Sequence, residues 1–194
     1  MNWFTIGSLT VPASQLAFLA ACIMASLAIW LKKDKPFLDF YINAVFLFIA
    51  VWKGSVVLFS FPIVMNSPLA LLYFDGGWRG VWLGFLAVIA YAAWKCPLPK
   101  QKQAVWSWMV MVLAFEAAQA LLTGQAGIAM WFRLAGGLVL LFVPLKQAGR
   151  TIWLFTLWQL LFGSMSADLL SQANMIYIAA ALFFTLMIRR DFVG

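Results

Sequence analysis

Five charged side chains in this sequence lie within or beside strongly apolar runs, and they limit the chemistry open to it. Asp75 and Arg79 stand four residues apart around Gly76-Gly77, in the stretch Pro68 to Gly84 (PLALLYFDGGWRGVWLG). Lys53, Glu116 and Arg133 lie inside other apolar runs. Arg and Lys can hold a phosphate, and Gly-Gly allows a close backbone approach. A carboxylate whose proton affinity is raised by desolvation can act as a base. Asp75 and Glu116 are therefore the candidate catalytic groups. Lys53, Gly76, Gly77, Arg79 and Arg133 are the candidate substrate-binding residues. The competing expectation is structural, with Asp75 pairing with Arg79, Glu116 pairing with Arg133, and Lys53 snorkelling to the surface.

The elements that must position these groups are membrane helices. Of 194 residues, 65% are hydrophobic and 10% charged, against about a quarter charged in a typical soluble domain. The mean hydropathy is +0.97, and several apolar runs approach the ~20 residues that cross a bilayer. The expected class is all-α, a polytopic membrane protein with no separate soluble domain. Histidine is absent, which removes the commonest general base and metal ligand. No metal or other cofactor is expected. Cys22 and Cys96 form no CxxC pair. Cys22 falls mid-span and Cys96 in a basic loop, so no disulfide between them is expected.

Residues 1–14 read as an interfacial segment without the basic n-region of a signal peptide, so no processing is expected. Spans follow at about 15–31, 38–59, 78–94, 104–122, 128–145, 151–165 and 175–188. Many of the eleven tryptophans lie near span ends, as interfacial anchors do.

The segments 32–35, 95–102, 146–150 and 189–190 hold ten of the thirteen Lys and Arg. The loops on the other side, 60–67, 123–127 and 166–174, hold none. By the positive-inside rule the C-terminus is cytoplasmic and the N-terminus outside. This also accounts for the net charge of +7 without nucleic acid as a partner. The three other cations, Lys53, Arg79 and Arg133, then fall in the outer half of the membrane, with Asp75 and Glu116. A charge there costs about 2.5–3.5 kcal/mol on insertion scales, so it is retained for a partner or a role.

The chain resembles the prolipoprotein diacylglyceryl transferase (Lgt) family over about residues 5–95. The matching residues are Ile6-Gly7-Ser8-Leu9-Thr10-Val11 before span one and Lys32-Lys33 after it. Trp52-Lys53-Gly54-Ser55 at the end of span two, Pro68, and Phe74-Asp75-Gly76-Gly77-Trp78-Arg79-Gly80 follow in the family's order. Asp75 stands where the family has a histidine, the span-one tyrosine has no equivalent, and the Arg-rich central signature is not recognisable around Trp106–Gln119. The resemblance implies a bacterial plasma-membrane protein without cofactor that binds phosphatidylglycerol in the outer half of the membrane. It implies transfer of diacylglyceryl to the cysteine of a lipoprotein precursor, with Asp75 or Glu116 as base. The alternative it implies is a non-catalytic relative, an anchor or partner for a thioredoxin-like protein. A transporter is the third reading, but no inverted repeat supports it.

Overall fold

A computed structural model of the chain describes residues 3–6, 9–59, 61, 65, 76–96, 100–124, 126–143, 148–165 and 171–190. Two short strands, Trp3–Ile6 and Leu9–Pro12, pair as a two-stranded sheet where an interfacial segment was expected. The rest of the described chain is helical: α1 (Ala13–Leu31), α2 (Lys35–Phe59), α3 (Gly77–Lys95), α4 (Gln101–Thr123), α5 (Ile128–Phe142), α6 (Ala148–Met165) and α7 (Gln172–Arg190).

Local chemistry sets several boundaries. Asp34 Oδ1 accepts the Phe37 backbone N–H at 3.3 Å, capping α2, and Pro36 sits in the first turn where its missing N–H costs nothing. Gly124, at φ 70°, ends α4 in the left-handed conformation that glycine adopts most easily. Ser171 Oγ accepts the Asn174 backbone N–H at 3.3 Å and caps α7.

Three helices, α1, α2 and α4, are long and apolar enough to cross a membrane. Ile128–Phe142 and Gln172–Ile188 are shorter apolar helices. Much of this apolar surface faces outward, including Ile23, Leu31, Phe46, Leu58, Leu121 and Phe142, as suits helices solvated by lipid.

The chain divides into two compact units. The first comprises Met1–Phe4, Val11–Lys33 and Pro97–Gly194 and contains α1 and α4–α7. The second comprises Thr5–Thr10 and Asp34–Cys96 and contains α2 and α3. In the first unit, Ala13, Ala17, Ala21, Ala25 and Ile29 are all buried at four-residue spacing along α1. Small residues on one stripe let α1 lie close against α4, its most extensive partner. In the second unit, α2 and α3 pack on one another.

Candidate functional site

Four helices of the first unit each bring one polar side chain to a shared cluster. Glu116 comes from α4, Arg133 from α5, Gln159 from α6 and Tyr177 from α7. Arg133 Nη2 donates to Glu116 Oε1 at 2.7 Å. Arg133 Nε donates to Gln159 Oε1 at 2.6 Å, and the Tyr177 hydroxyl donates to Glu116 Oε1 at 2.6 Å. The side chains of Arg133 and Glu116 are 16% and 11% exposed, and Gln159 is wholly buried.

The arrangement follows from where each residue sits along its helix. Glu116 is seven residues from the end of α4, Arg133 five from the start of α5, Gln159 six from the end of α6 and Tyr177 five from the start of α7. Connected antiparallel helices therefore carry all four groups at a similar height, within about two turns of one end of the bundle. Glu116 shares its buried face of α4 with Val112, Leu113 and Ala120. A lone carboxylate there would be costly, and the guanidinium and phenol make it tolerable.

Arg133 is also fixed from behind. The Trp158 indole donates its N–H to the Arg133 carbonyl at 2.9 Å. The same ring lies against Gly136, where a Cβ would overlap it. Two of the five guanidinium N–H groups are used within the cluster, and three remain for another acceptor.

Lys53, Gly76, Gly77 and Arg79 belong to the second unit. Gly76, Gly80 and Gly84 repeat every four residues and face α2. A Cβ at Gly76 or Gly80 would overlap Ser55 Oγ, and one at Gly84 would come within 3.0 Å of the Phe48 ring. The close backbone approach at Gly76 is thus to a neighbouring helix. Ser55 fits there by turning its hydroxyl onto the Trp52 carbonyl of its own helix, at 2.7 Å. Gly77 has open space where a Cβ would stand, but its φ of +55° favours glycine. Arg79 is exposed, with its guanidinium carbon 5.8 Å from the Phe59 ring centroid. Lys53 is half-buried, with Nζ 5.3 Å from the Trp52 ring. Among the described residues neither cation has an ion-pair partner. Asp75 lies outside the described residues.

Of the seven candidates named from sequence, then, Glu116 and Arg133 are in direct contact, as the structural expectation had it. Gln159 and Tyr177 were not among them. Each is an isolated polar group inside an apolar run, and the rule that a buried polar group needs a partner applies to amides and phenols as well as to charges. Among the described residues no group of three or more Cys, Asp or Glu is placed to hold a metal ion. No known protein family, curated protein or solved structure matches the chain.

Proposed function

We propose that this chain is a seven-span protein of the bacterial plasma membrane, N-terminus outside and C-terminus cytoplasmic, that binds an anionic phospholipid headgroup at Arg133. Phosphatidylglycerol is the expected lipid, from the Lgt resemblance. The observation that carries the reading is the fixed guanidinium of Arg133. Glu116 and Gln159 hold its plane, so its three remaining N–H groups have a set direction. That is what recognition of a phosphate by a planar donor fork requires. The helix ends nearest Arg133, Thr123, Ile128, Met165 and Gln172, are joined in the sequence by residues 124–127 and 166–171, which contain no Lys or Arg. The positive-inside rule assigns those ends to the outer face, at headgroup depth. Because Glu116 offsets the charge of Arg133, recognition rests on hydrogen-bond geometry more than on net charge.

Binding is better supported than diacylglyceryl transfer. Glu116 Oε1 already accepts two hydrogen bonds, which leaves Oε2 as the oxygen able to take a proton from a lipoprotein thiol. The same observation favours the second reading, a non-catalytic relative that anchors a thioredoxin-like partner, because a carboxylate occupied in this way serves the bundle itself.

The test is lipid retention by the purified protein in nanodiscs containing equal phosphatidylglycerol and phosphatidylcholine. The unaltered protein is expected to enrich phosphatidylglycerol, and Arg133→Ala to lose about tenfold in affinity, the equivalent of one charge-assisted hydrogen bond. Equal retention of both lipids by the unaltered protein rejects the reading. Incubation with labelled phosphatidylglycerol and a lipobox peptide separates the two alternatives: label on the peptide cysteine supports transfer, and its absence together with co-purification of a thioredoxin-like protein supports the anchor.

A further inference from the structure

Asn43 is the only amide or charged side chain between Asp39 and Lys53, within an apolar stretch of α2. It is exposed, and among the described residues its amide has no hydrogen-bond partner. It lies eight residues beyond Lys35 on a helix long and apolar enough to cross a membrane. That is about 12 Å along the axis. From such a depth a lysine could reach the headgroups on its four-carbon stem, but asparagine is too short.

The face around Asn43 is patterned. Leu47, Ala50, Gly54 and Val57 follow it in alternate steps of four and three, which keeps all five on one side of α2. α3 meets the other side, where Phe48, Trp52 and Ser55 stand against Gly80 and Gly84. Ala50 and Val57 are exposed, and Leu47 and Gly54 are half-buried. A Cβ at Gly54 would meet nothing within 4 Å. The five residues cover about 21 Å of helix. They supply what association of helices in lipid uses: small residues that let backbones approach, and an amide to bond across. A single asparagine in such a seven-residue repeat also fixes the register of a helix pair.

We propose that this face of α2 pairs with the same face of a second copy of the chain, in a parallel two-fold dimer with Asn43 against Asn43. The occupant follows from the amide. Its NH2 donates and its oxygen accepts, so the group complements itself. Copies inserted in one orientation carry Asn43 at one depth, and a two-fold axis along the membrane normal brings the two amides together. A lipid acyl chain offers neither donor nor acceptor. The pairing shares with the phospholipid reading only the placement of the helices in a membrane, and it needs no ligand at Arg133.

Förster transfer between donor- and acceptor-labelled copies in liposomes, followed as the protein is diluted in lipid, measures the association. The unaltered protein is expected to pair, and Asn43→Leu to pair about tenfold more weakly. Asn43→Gln, which keeps the amide, should pair more tightly than Asn43→Leu. No transfer at any dilution, or equal transfer by Asn43→Leu, overturns the proposal. Cross-linking locates the face without relying on those variants. With Cys22 and Cys96 replaced by alanine, oxidation in membranes should link copies through Ala50→Cys. Linkage through Leu157→Cys, exposed on α6, should be several-fold less. Equal linkage at both positions, or linkage of Ala50→Cys to a different protein, overturns the dimer. Phosphatidylglycerol retention, measured separately, is unaffected by that failure.

Discussion

Glu116 Oε1 and Arg133 Nη2 stand 2.7 Å apart, and the same oxygen takes the Tyr177 hydroxyl at 2.6 Å. One carboxylate oxygen therefore ties α4 to α5 and to α7. Gln159, on the other edge of the guanidinium, adds α6 to the same network. An interaction of this kind contributes little net stability when intact, because both charges lost their water to form it. Its removal from one side is what costs.

Glu116→Ala is accordingly expected to destabilise the protein by about 3 kcal/mol, since Arg133 is left largely buried without its counter-charge. Replacing both partners, Glu116→Leu with Arg133→Met, should recover most of that loss. Thermal or denaturant unfolding in detergent gives the comparison. A double variant as unstable as the single one would contradict a paired role.

Tyr177→Phe removes one hydrogen bond to Glu116 and leaves the ring, which meets Trp108 edge-on at 6.4 Å between centroids. A loss of about 1–2 kcal/mol is expected. Combined with Glu116→Gln, the two changes should be less than additive, because both act on one oxygen.

Glycines of the second unit should respond with opposite signs. Gly80→Ala pushes a methyl into Ser55 and is expected to cost about 1–3 kcal/mol, most of it recovered by Ser55→Gly. Gly54 has open space around it inside α2, so Gly54→Ala should stabilise by about 0.5–1 kcal/mol through helix propensity. Unfolding midpoints of the three variants decide the matter, and equal effects at Gly54 and Gly80 would count against the close α2–α3 seam.

Lys32, just beyond α1, lays its ammonium 3.0 Å from the centroid of the Trp106 ring. Partial burial there lowers its pKa below 10.5. The unfolded chain then keeps this proton to higher pH than the folded one, so stability should rise with pH in the window between the lowered value and 10.5. Lys32→Gln should flatten that slope in unfolding measured from neutral pH upward. An unaltered slope would mean that another group sets it.

How much of this was legible in the sequence depended on the range of the interaction. The helices were readable because each apolar run is a local property, and Asp34-Lys35-Pro36 or Gly124 mark ends through chemistry within one turn. Glu116 and Arg133 could be paired on paper because two charges in adjacent apolar runs have few other partners. Gln159 and Tyr177 could not, since nothing in WLFTLWQLLF or MIYIAA states which neighbour the polar atom meets. The interval between Gly76, Gly80 and Gly84 was present in the sequence but masked by the adjacent pair Gly76-Gly77, which suggested a turn. The spacing of four was the stronger signal, as a stripe for a second helix. The N-terminal strands were signalled too, by Gly7-Ser8 between two short apolar segments, a pairing typical of hairpins.

Trp158 has a consequence for how the bundle can move. Its indole occupies the recess at Gly136 and its N–H holds the carbonyl of Arg133, so one ring records both the rotation and the axial position of α5. Turning α5 by one residue would lift the ring from its recess and break the hydrogen bond in the same step. The guanidinium is thus indexed to α6 by a shape fit, as a key is by its notch. The aim of the three remaining guanidinium donors is therefore set by the bundle itself.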